Sequence, residues 1–406
     1  MVPRLYSTIS VDNETQYSPW PLQCQPDSID HLSMAATRAN TVPKLAKYSD
    51  ARNTRDFIKG QVCGTVPRVT PATIDKPDIG NRTIVVTGAN SGLGLEAAKQ
   101  FSQLACVSRL ILACRDLEKA DAAKAQVFAA MPQSKAASTE IRIWELDMAS
   151  KSSIVAFTER ADNELDRIDA IVLNAGVDFG TRYVKTAGSE GPYEMTLMIN
   201  VIATMMLAVL MVPILRQKAH AELTPRITIV GSAVQFFVKY QVLVDAVYSQ
   251  DEESILAWLS NEARWKDKIT EDRYYLSKGI LQMLVQQMTA RMSNEDNTGN
   301  PSIIVNCVAP GYCKTELFRT SGTSMSGLAL KLIGREAEIG ARSLVIGAVG
   351  RAGDARSHGK YMSEGMVKGT GSEWFKTEQG REIGGRVWDE VCDIVKATAG
   401  PESTRI

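Results

Sequence analysis

The chain has 406 residues with 46 acidic and 46 basic side chains, so its formal net charge is zero and no charge excess points to nucleic acid or an anionic membrane surface. Its seven cysteines are scattered, odd in number and without a C-x-x-C pair, which argues against a disulfide framework and for reduced thiols. None of the three histidines (His31, His220, His358) stands with cysteines at ligand spacing, so no metal site is expected.

Residues 1–78 are rich in Ser, Thr, Pro, Asn and Gln and hold no period of 2 or 3.6, which reads as a poorly structured arm with a short helix around 53–61. The opening thirty residues lack the continuous apolar stretch of a secretory signal. Their acids Asp12, Glu14, Asp27 and Asp30 argue against a mitochondrial transit peptide, so a cytoplasmic location is expected. From residue 79 to 400 the chain reads as one domain. Strands are predicted at 83–87, 109–113, 141–146, 170–173, 226–230 and 302–308, with helices at about 92–105, 116–131, 151–166, 192–217 and 272–293. The strands are continuously apolar rather than alternating, as strands covered on both faces are. This rhythm predicts an α/β fold: a Rossmann-type doubly wound parallel sheet with right-handed crossovers.

Met195–Leu215 is an uncharged run of about the length that crosses a bilayer. Its place between two strands, its internal Asn200 and its late Pro213 favour a buried helix over a span. Two insertions, 233–271 and 316–333, leave from the carboxyl edge of the predicted sheet, where open α/β folds bind ligands, and are candidate substrate lids. Beyond Met362, Glu373-Trp-Phe-Lys and the run from Trp388 read as an amphipathic C-terminal helix over the core or the substrate mouth.

Two patterns carry chemistry. The strand 83–87 runs into Gly88-Ala-Asn-Ser-Gly-Leu-Gly94 and then into a helix. In that setting Gly88 permits a tight turn, Gly92 lets backbone approach a pyrophosphate, and Gly94 allows close packing of helix on strand. The helix N-terminus then offers free N–H groups to phosphate. Further on, Tyr274 and Lys278 stand four apart on a predicted helix and share one face. An ammonium beside a phenol, whose ordinary pKa is about 10, favours the phenolate and makes the tyrosine a usable acid/base.

These fragments, in this order, resemble the short-chain dehydrogenase/reductase family, whose fingerprint is T-G-x-x-x-G-x-G followed by Y-x-x-x-K. The likeness spans roughly 81–362, and TGANSGLG and LACRDLEKA are most similar to fungal secondary-metabolism members related to retinol dehydrogenases. The resemblance implies that Gly88, Ser91, Gly92, Leu93 and Gly94 hold a dinucleotide. It further implies that Asp147 meets the adenine, Asn174 flanks the cofactor, and Gly311 and Thr315 meet the nicotinamide carboxamide. It assigns Tyr274 as acid/base, Lys278 as its tuner and ribose ligand, Ser232 as the donor to the substrate oxygen, and Asn200 as the holder of a water path. Where NAD enzymes place an acid after the second strand, this chain has Cys114 and Arg115, which points to NADP(H) rather than NAD. The expected function is an NADPH-dependent reductase or dehydrogenase of a hydrophobic ketone or alcohol, polyketide-type in substrate. Its alternatives are a retinol- or steroid-like dehydrogenase and an NADP-binding regulator or scaffold. Family members pair through the helices that here carry Asn200 and Tyr274, so a homodimer or homotetramer is expected.

Overall fold

A computed structural model describes residues 43–47, 54–180, 182–187, 190–249, 254–265, 273–292, 300–315, 317 and 333–406. The strands are β1 (Arg82–Thr87), β2 (Val107–Cys114), β3 (Glu140–Glu145), β4 (Ala170–Leu173), β5 (Arg226–Val230), β6 (Ile304–Ala309), β7 (Tyr361–Ser363) and β8 (Met366–Gly369). Among the described residues they form one sheet in the order β3-β2-β1-β4-β5-β6-β7-β8, parallel except for β8. The six predicted strands are all present. β7 and β8 add a hairpin, joined by Glu364 and Gly365 at φ +56° and +71°, the left-handed pair that a two-residue turn between twisted strands requires.

The helices are α1 (Thr54–Cys63), α2 (Gly92–Gln103), α3 (Leu117–Ala130), α4 (Lys151–Glu164), α5 (Met195–Gln217), α6 (Gln241–Tyr248), α7 (Ile255–Leu259), α8 (Arg273–Arg291), α9 (Ala337–Val349) and α10 (Glu378–Ala399). Side chains alternate along each strand, and both faces of the central strands β1, β4, β5 and β6 are covered, while β8 at the edge is largely exposed. Val85, Ile111 and Ile171 join the core beneath α4, α5 and α8, while Ile84, Val86, Leu110 and Leu112 join the one beneath α2, α3 and α9. Each such side chain contributes roughly 1.5–3 kcal/mol by leaving water.

The long apolar run is the centre of the first core. Of its most apolar window, 89% is buried within the protein. From Met198 to Ala203 the helix widens to a π-turn, and Thr204 Oγ1 donates to the Ile199 carbonyl at 2.9 Å. Asn200 sits in that widened stretch, a placement common where a helix has a job besides packing.

Two expectations change. The loose arm does not extend to residue 78. α1 is helical, Val66 and Ile74 are buried, Ile74 bridges Gly350, and Asp75 pairs with buried Arg226 at 2.5 Å. Residues 1–42 and 48–53 of that arm lie outside the described residues. In the first insertion, Tyr240, Leu243, Leu256 and Trp258 are core residues, and among its described residues those that line the cleft, Ala233, Val234 and Phe237, lie at its beginning. Trp374 stacks on Tyr240 with centroids 4.6 Å apart, and α10 lies so close to α8 that a Cβ on Gly384 would stand 3.1 Å from Met283 Cγ. Glu390 of α10 also caps α7, accepting from Ile255 N at 2.7 Å and Leu256 N at 3.0 Å. The chain's own C-terminal helix thus covers α8, one of the two helices through which pairing was expected.

Candidate active site

At the carboxyl ends of β1, β2, β4, β5 and β6, where the strand order reverses between β1 and β4, a cleft of about 870 Å³ opens. Its first wall is the β1–α2 turn. Gly88 and Gly92 adopt φ +63° and +52°, which only glycine takes without strain. A Cβ on Gly94 would stand 2.4 Å from the Gly88 carbonyl oxygen and 2.5 Å from Asn174 Nδ2, so the turn closes on the helix only because that position is bare. Ser91 occupies the N-cap of α2 without spending its hydroxyl on a capping bond. Gly88, Ser91, Gly92 and Leu93 line the cleft, and Gly94 lies beneath them.

Asn174 braces this turn from β4. Its Nδ2 donates to the Thr87 and Gly88 carbonyls at 2.9 and 3.3 Å, and Thr87 Oγ1 accepts from the Asn174 and Ala175 N–H groups at 3.0 Å each. Thr87 is fully buried, a supporting role that the threonine of the T-G pair could have signalled. Asp147 lines the cleft while its Oδ1 accepts from Ala149 N at 2.9 Å, which fixes the turn after β3.

The end of β2 carries no uncommitted acid. Cys114 is buried beside the glycine turn, where the Ala89 and Asn90 N–H groups point at its sulfur, and burial pushes its thiol up to about 11. Asp116 caps α3 by accepting from Lys119 N at 3.0 Å and pairs with the Lys119 ammonium at 2.8 Å. Arg115 lies exposed at the rim and makes no ion pair among the described residues.

The opposite wall is built of side chains. Ser232 follows β5, accepts from Val234 N at 3.3 Å and lines the cleft with Tyr274. Lys278 is buried. Its Nζ donates to the Val230 carbonyl at 2.8 Å and lies 5.6 Å from the centroid of the Tyr274 ring. Burial drives both groups toward their neutral forms: the Tyr274 phenol is raised, with Asp178 adding to the effect, and Lys278 is lowered to about 8. The lowering of Tyr274 expected from Lys278 does not prevail: burial raises the phenol, and Asp178, Tyr275 and Cys313 add to it. Behind them Asn200 receives the Val177 N–H at 2.9 Å and donates to Val177 O at 2.9 Å and Ser277 Oγ at 3.0 Å. Ser277 in turn donates to the Tyr274 carbonyl at 2.7 Å, tying α5 to the turn of α8 that carries the phenol. Asn200 is placed behind the cleft, where a Cβ on Gly176 would come within 3.1 Å of its Oδ1.

The third wall is Pro310–Thr315 after β6. Gly311 holds φ +86°, and Thr315 faces Gly92 across a slot in which a Cβ on Gly92 would stand 3.5 Å from it. Of the two insertions, Ala233, Val234 and Phe237 of the first and Leu317 and Ile333 of the second line the cleft. The second is otherwise outside the described residues, as are 266–271 of the first. Every expected site residue thus lies in the cleft or directly behind it. Thr87, Ser277 and the Val230 carbonyl join them unannounced.

A family model described as short chain dehydrogenase matches residues 82–249. Three fungal relatives extend the match over most of the chain. The short chain dehydrogenase/reductase dmxR8 of Cryptosporiopsis sp. is 34% identical over 78% of this chain and 91% of its own length. The short chain dehydrogenase/reductase mfmJ of Annulohypoxylon moriforme is 32% identical over 77% of this chain and 84% of its own. The short chain dehydrogenase opdN of Penicillium oxalicum is 32% identical over 77% and 94%. With the glycine turn, the Tyr274–Lys278 pair and the parallel sheet in place, these matches make the chain an oxidoreductase of the short-chain dehydrogenase/reductase family.

Proposed function

We propose that this oxidoreductase uses NADPH to reduce a hydrophobic ketone, or runs the reverse oxidation of the alcohol, with a polyketide-type secondary metabolite as substrate. The observation that carries the reading is the meeting of Ser232, Tyr274 and Lys278 in the same cleft as the glycine turn. The residues fit a dinucleotide. The slot between Gly92 and Thr315 is one that a side chain would fill, and the start of α2 turns backbone N–H groups and the uncommitted Ser91 hydroxyl toward it. Arg115 at the rim, with Asp116 held by Lys119, favours a 2′-phosphate over a bare ribose hydroxyl. A nicotinamide, when bound, supplies or takes the hydride.

The protein's own groups do the rest. Ser232 and Tyr274 present two hydroxyls to one carbonyl oxygen and stabilise the charge that develops there. Tyr274 then gives that oxygen its proton. A phenol raised by burial stays protonated until it meets a strong base such as an alkoxide, which suits it to the acid's role. Lys278 stabilises the phenolate left behind, and the Asn200–Ser277 pair fixes the helix turn that holds it. Val177, Ile199, Val234 and Phe237 give the cleft the apolar flank that a hydrophobic substrate needs. The fungal origin of the relatives supports the metabolic setting, and a cytoplasmic location accompanies this reading.

The test is NADPH oxidation against a panel of polyketide-like, retinoid, steroid and simple aromatic carbonyls, with Tyr274→Phe run beside the wild type. Turnover of at least one polyketide-like ketone, lost by about a thousandfold or more in the variant, is expected. Turnover confined to retinoids or steroids would move the substrate class, and an active Tyr274→Phe would remove the assignment of the acid.

A further inference from the structure

α1 lies ahead of the first strand, in the stretch that the sequence assigns to an arm, yet it is bonded to the wall of the cleft. Gln61 is 6% exposed. Its Nε2 donates to the carbonyl oxygens of Tyr312 at 2.8 Å and Ile333 at 2.9 Å, and its Oε1 accepts from the Tyr312 N–H at 2.8 Å. Both ends of the carboxamide are thus committed to backbone, and both backbone partners belong to residues that line the cleft. Arg335 ties the other way: its Nη2 donates to the carbonyls of Gly60 at 2.5 Å and Gly64 at 3.0 Å. Between the two anchors the chain pairs with itself, Lys314 N donating to Arg335 O and Arg335 N to Tyr312 O, each at 2.8 Å.

The fit is close on every side. A Cβ on Gly311 would stand 2.7 Å from Arg335 Nη1 and 3.0 Å from Gln61 Oε1. One on Gly64 would stand 2.2 Å from Glu364 Oε1, where the β7–β8 turn packs on α1. Glu364 itself pairs with Lys368 at 3.2 Å and reaches Arg335 at 3.8 Å. Buried backbone groups that lose a partner are costly, so the position of Tyr312 depends on Gln61.

We propose that α1 is a clasp: through Gln61 and Arg335 it sets the position of the Gly311–Thr315 wall, and through that wall the affinity of the cleft for NADPH. Gln61 is a positioning residue, since it touches the backbone of the wall and not the cleft. The inference rests on the reading of the cleft as a dinucleotide site. It ties Gln61, ahead of the first strand, to the NADPH affinity of this chain.

The experiment is hydrogen exchange read by mass spectrometry on the full chain, with and without saturating NADPH, together with fluorescence titration of NADPH. In the wild type, NADPH slows exchange at residues 59–64 as well as at 310–315, because coupling between the site and the clasp is reciprocal. In Gln61→Ala the Tyr312 amide exchanges faster and the dissociation constant for NADPH rises about tenfold, while kcat stays within about threefold. Gln61→Glu, which can still accept from Tyr312 N but cannot donate to the two carbonyls, shifts in the same direction. Val62→Ser, at a neighbouring side chain 60% exposed, leaves the constant unchanged. An unchanged constant in folded Gln61→Ala overturns the clasp alone. So does wild-type protection at 310–315 without any at 59–64, a result that needs no variant to fold. Wild type that binds no NADPH overturns the functional reading and the clasp together.

Discussion

Along the β1–α2 side of the cleft, the surface offered to a ligand is backbone, shaped by glycines at positive φ and braced by Thr87 and Asn174. Along the β5–α8 side it is side chain: Ser232, Tyr274 and Lys278, with Asn200 behind them. The first wall tolerates no added atoms but carries no group that titrates on the reacting side. In the proposed mechanism the second carries the proton chemistry, on groups whose shapes could be mimicked by inert residues. Binding and turnover should therefore separate by wall. Tyr274→Phe is the sharpest case: the turnover loss of about a thousandfold should come with NADPH binding within about threefold of wild type. Loss of both together would merge the two walls into one function.

Gly94→Val tests the other wall. Its Cβ would stand 2.4 Å from the Gly88 carbonyl oxygen, and backbone must move to admit it. Binding of NADPH should weaken by about a hundredfold or more, with a stability loss of roughly 1–3 kcal/mol in thermal unfolding. Normal binding by this variant would mean the turn is not the cradle. A smaller effect belongs to the rim. Arg115→Asp places an acid where Arg115 faces the solvent at the cleft mouth, and the NADPH-over-NADH preference in kcat/KM should fall about ten- to a hundredfold. An unchanged preference would assign the phosphate to another cation.

What the sequence disclosed follows the same division. The glycine turn and the six apolar strands could be read because both depend on local pattern: buried parallel strands are continuously apolar, and the turn needs its glycines at fixed steps. β7 and β8 escaped because Tyr-Met-Ser and the largely exposed Met-Val-Lys-Gly lack the apolar run that marks β4, itself only four residues long. α9 escaped because its interior holds Gly340 and Gly347, which weaken a helix on propensity and are there for close packing. A Cβ on Gly347 would stand 2.7 Å from Val308 Cγ2 of β6. Tyr274 and Lys278 were legible through their spacing, but the direction of their pKa shifts was not, because burial depends on α5 and on everything packed around it. Gln61 left no trace at all. Its partner Tyr312 lies 251 positions away and is held by its backbone, so no residue type at either end marks the bond.

Lys278 offers the case that best separates function from packing. Burial lowers Lys278 to about 8, against an ordinary value near 10.5, so between those two pH values the unfolded chain holds a proton that the native protein has released. Stability should therefore rise with pH through that window, and the full penalty of the buried ammonium, on the order of 3 kcal/mol, is present below about pH 8. Turnover should run the other way, falling above about pH 8 as the ammonium that stabilises the Tyr274 phenolate is lost. Lys278→Met keeps the stem of the side chain and removes the charge. Urea unfolding at pH 7 should find it at least as stable as wild type, its excess shrinking as the pH is raised toward 10, while its reductase activity is lost at every pH. A variant that is destabilised at pH 7 would show that the bond to Val230 is structural. Equal pH slopes in the two proteins would show that Lys278 keeps its proton in the fold, and that the lysine belongs to the unyielding wall rather than the reactive one.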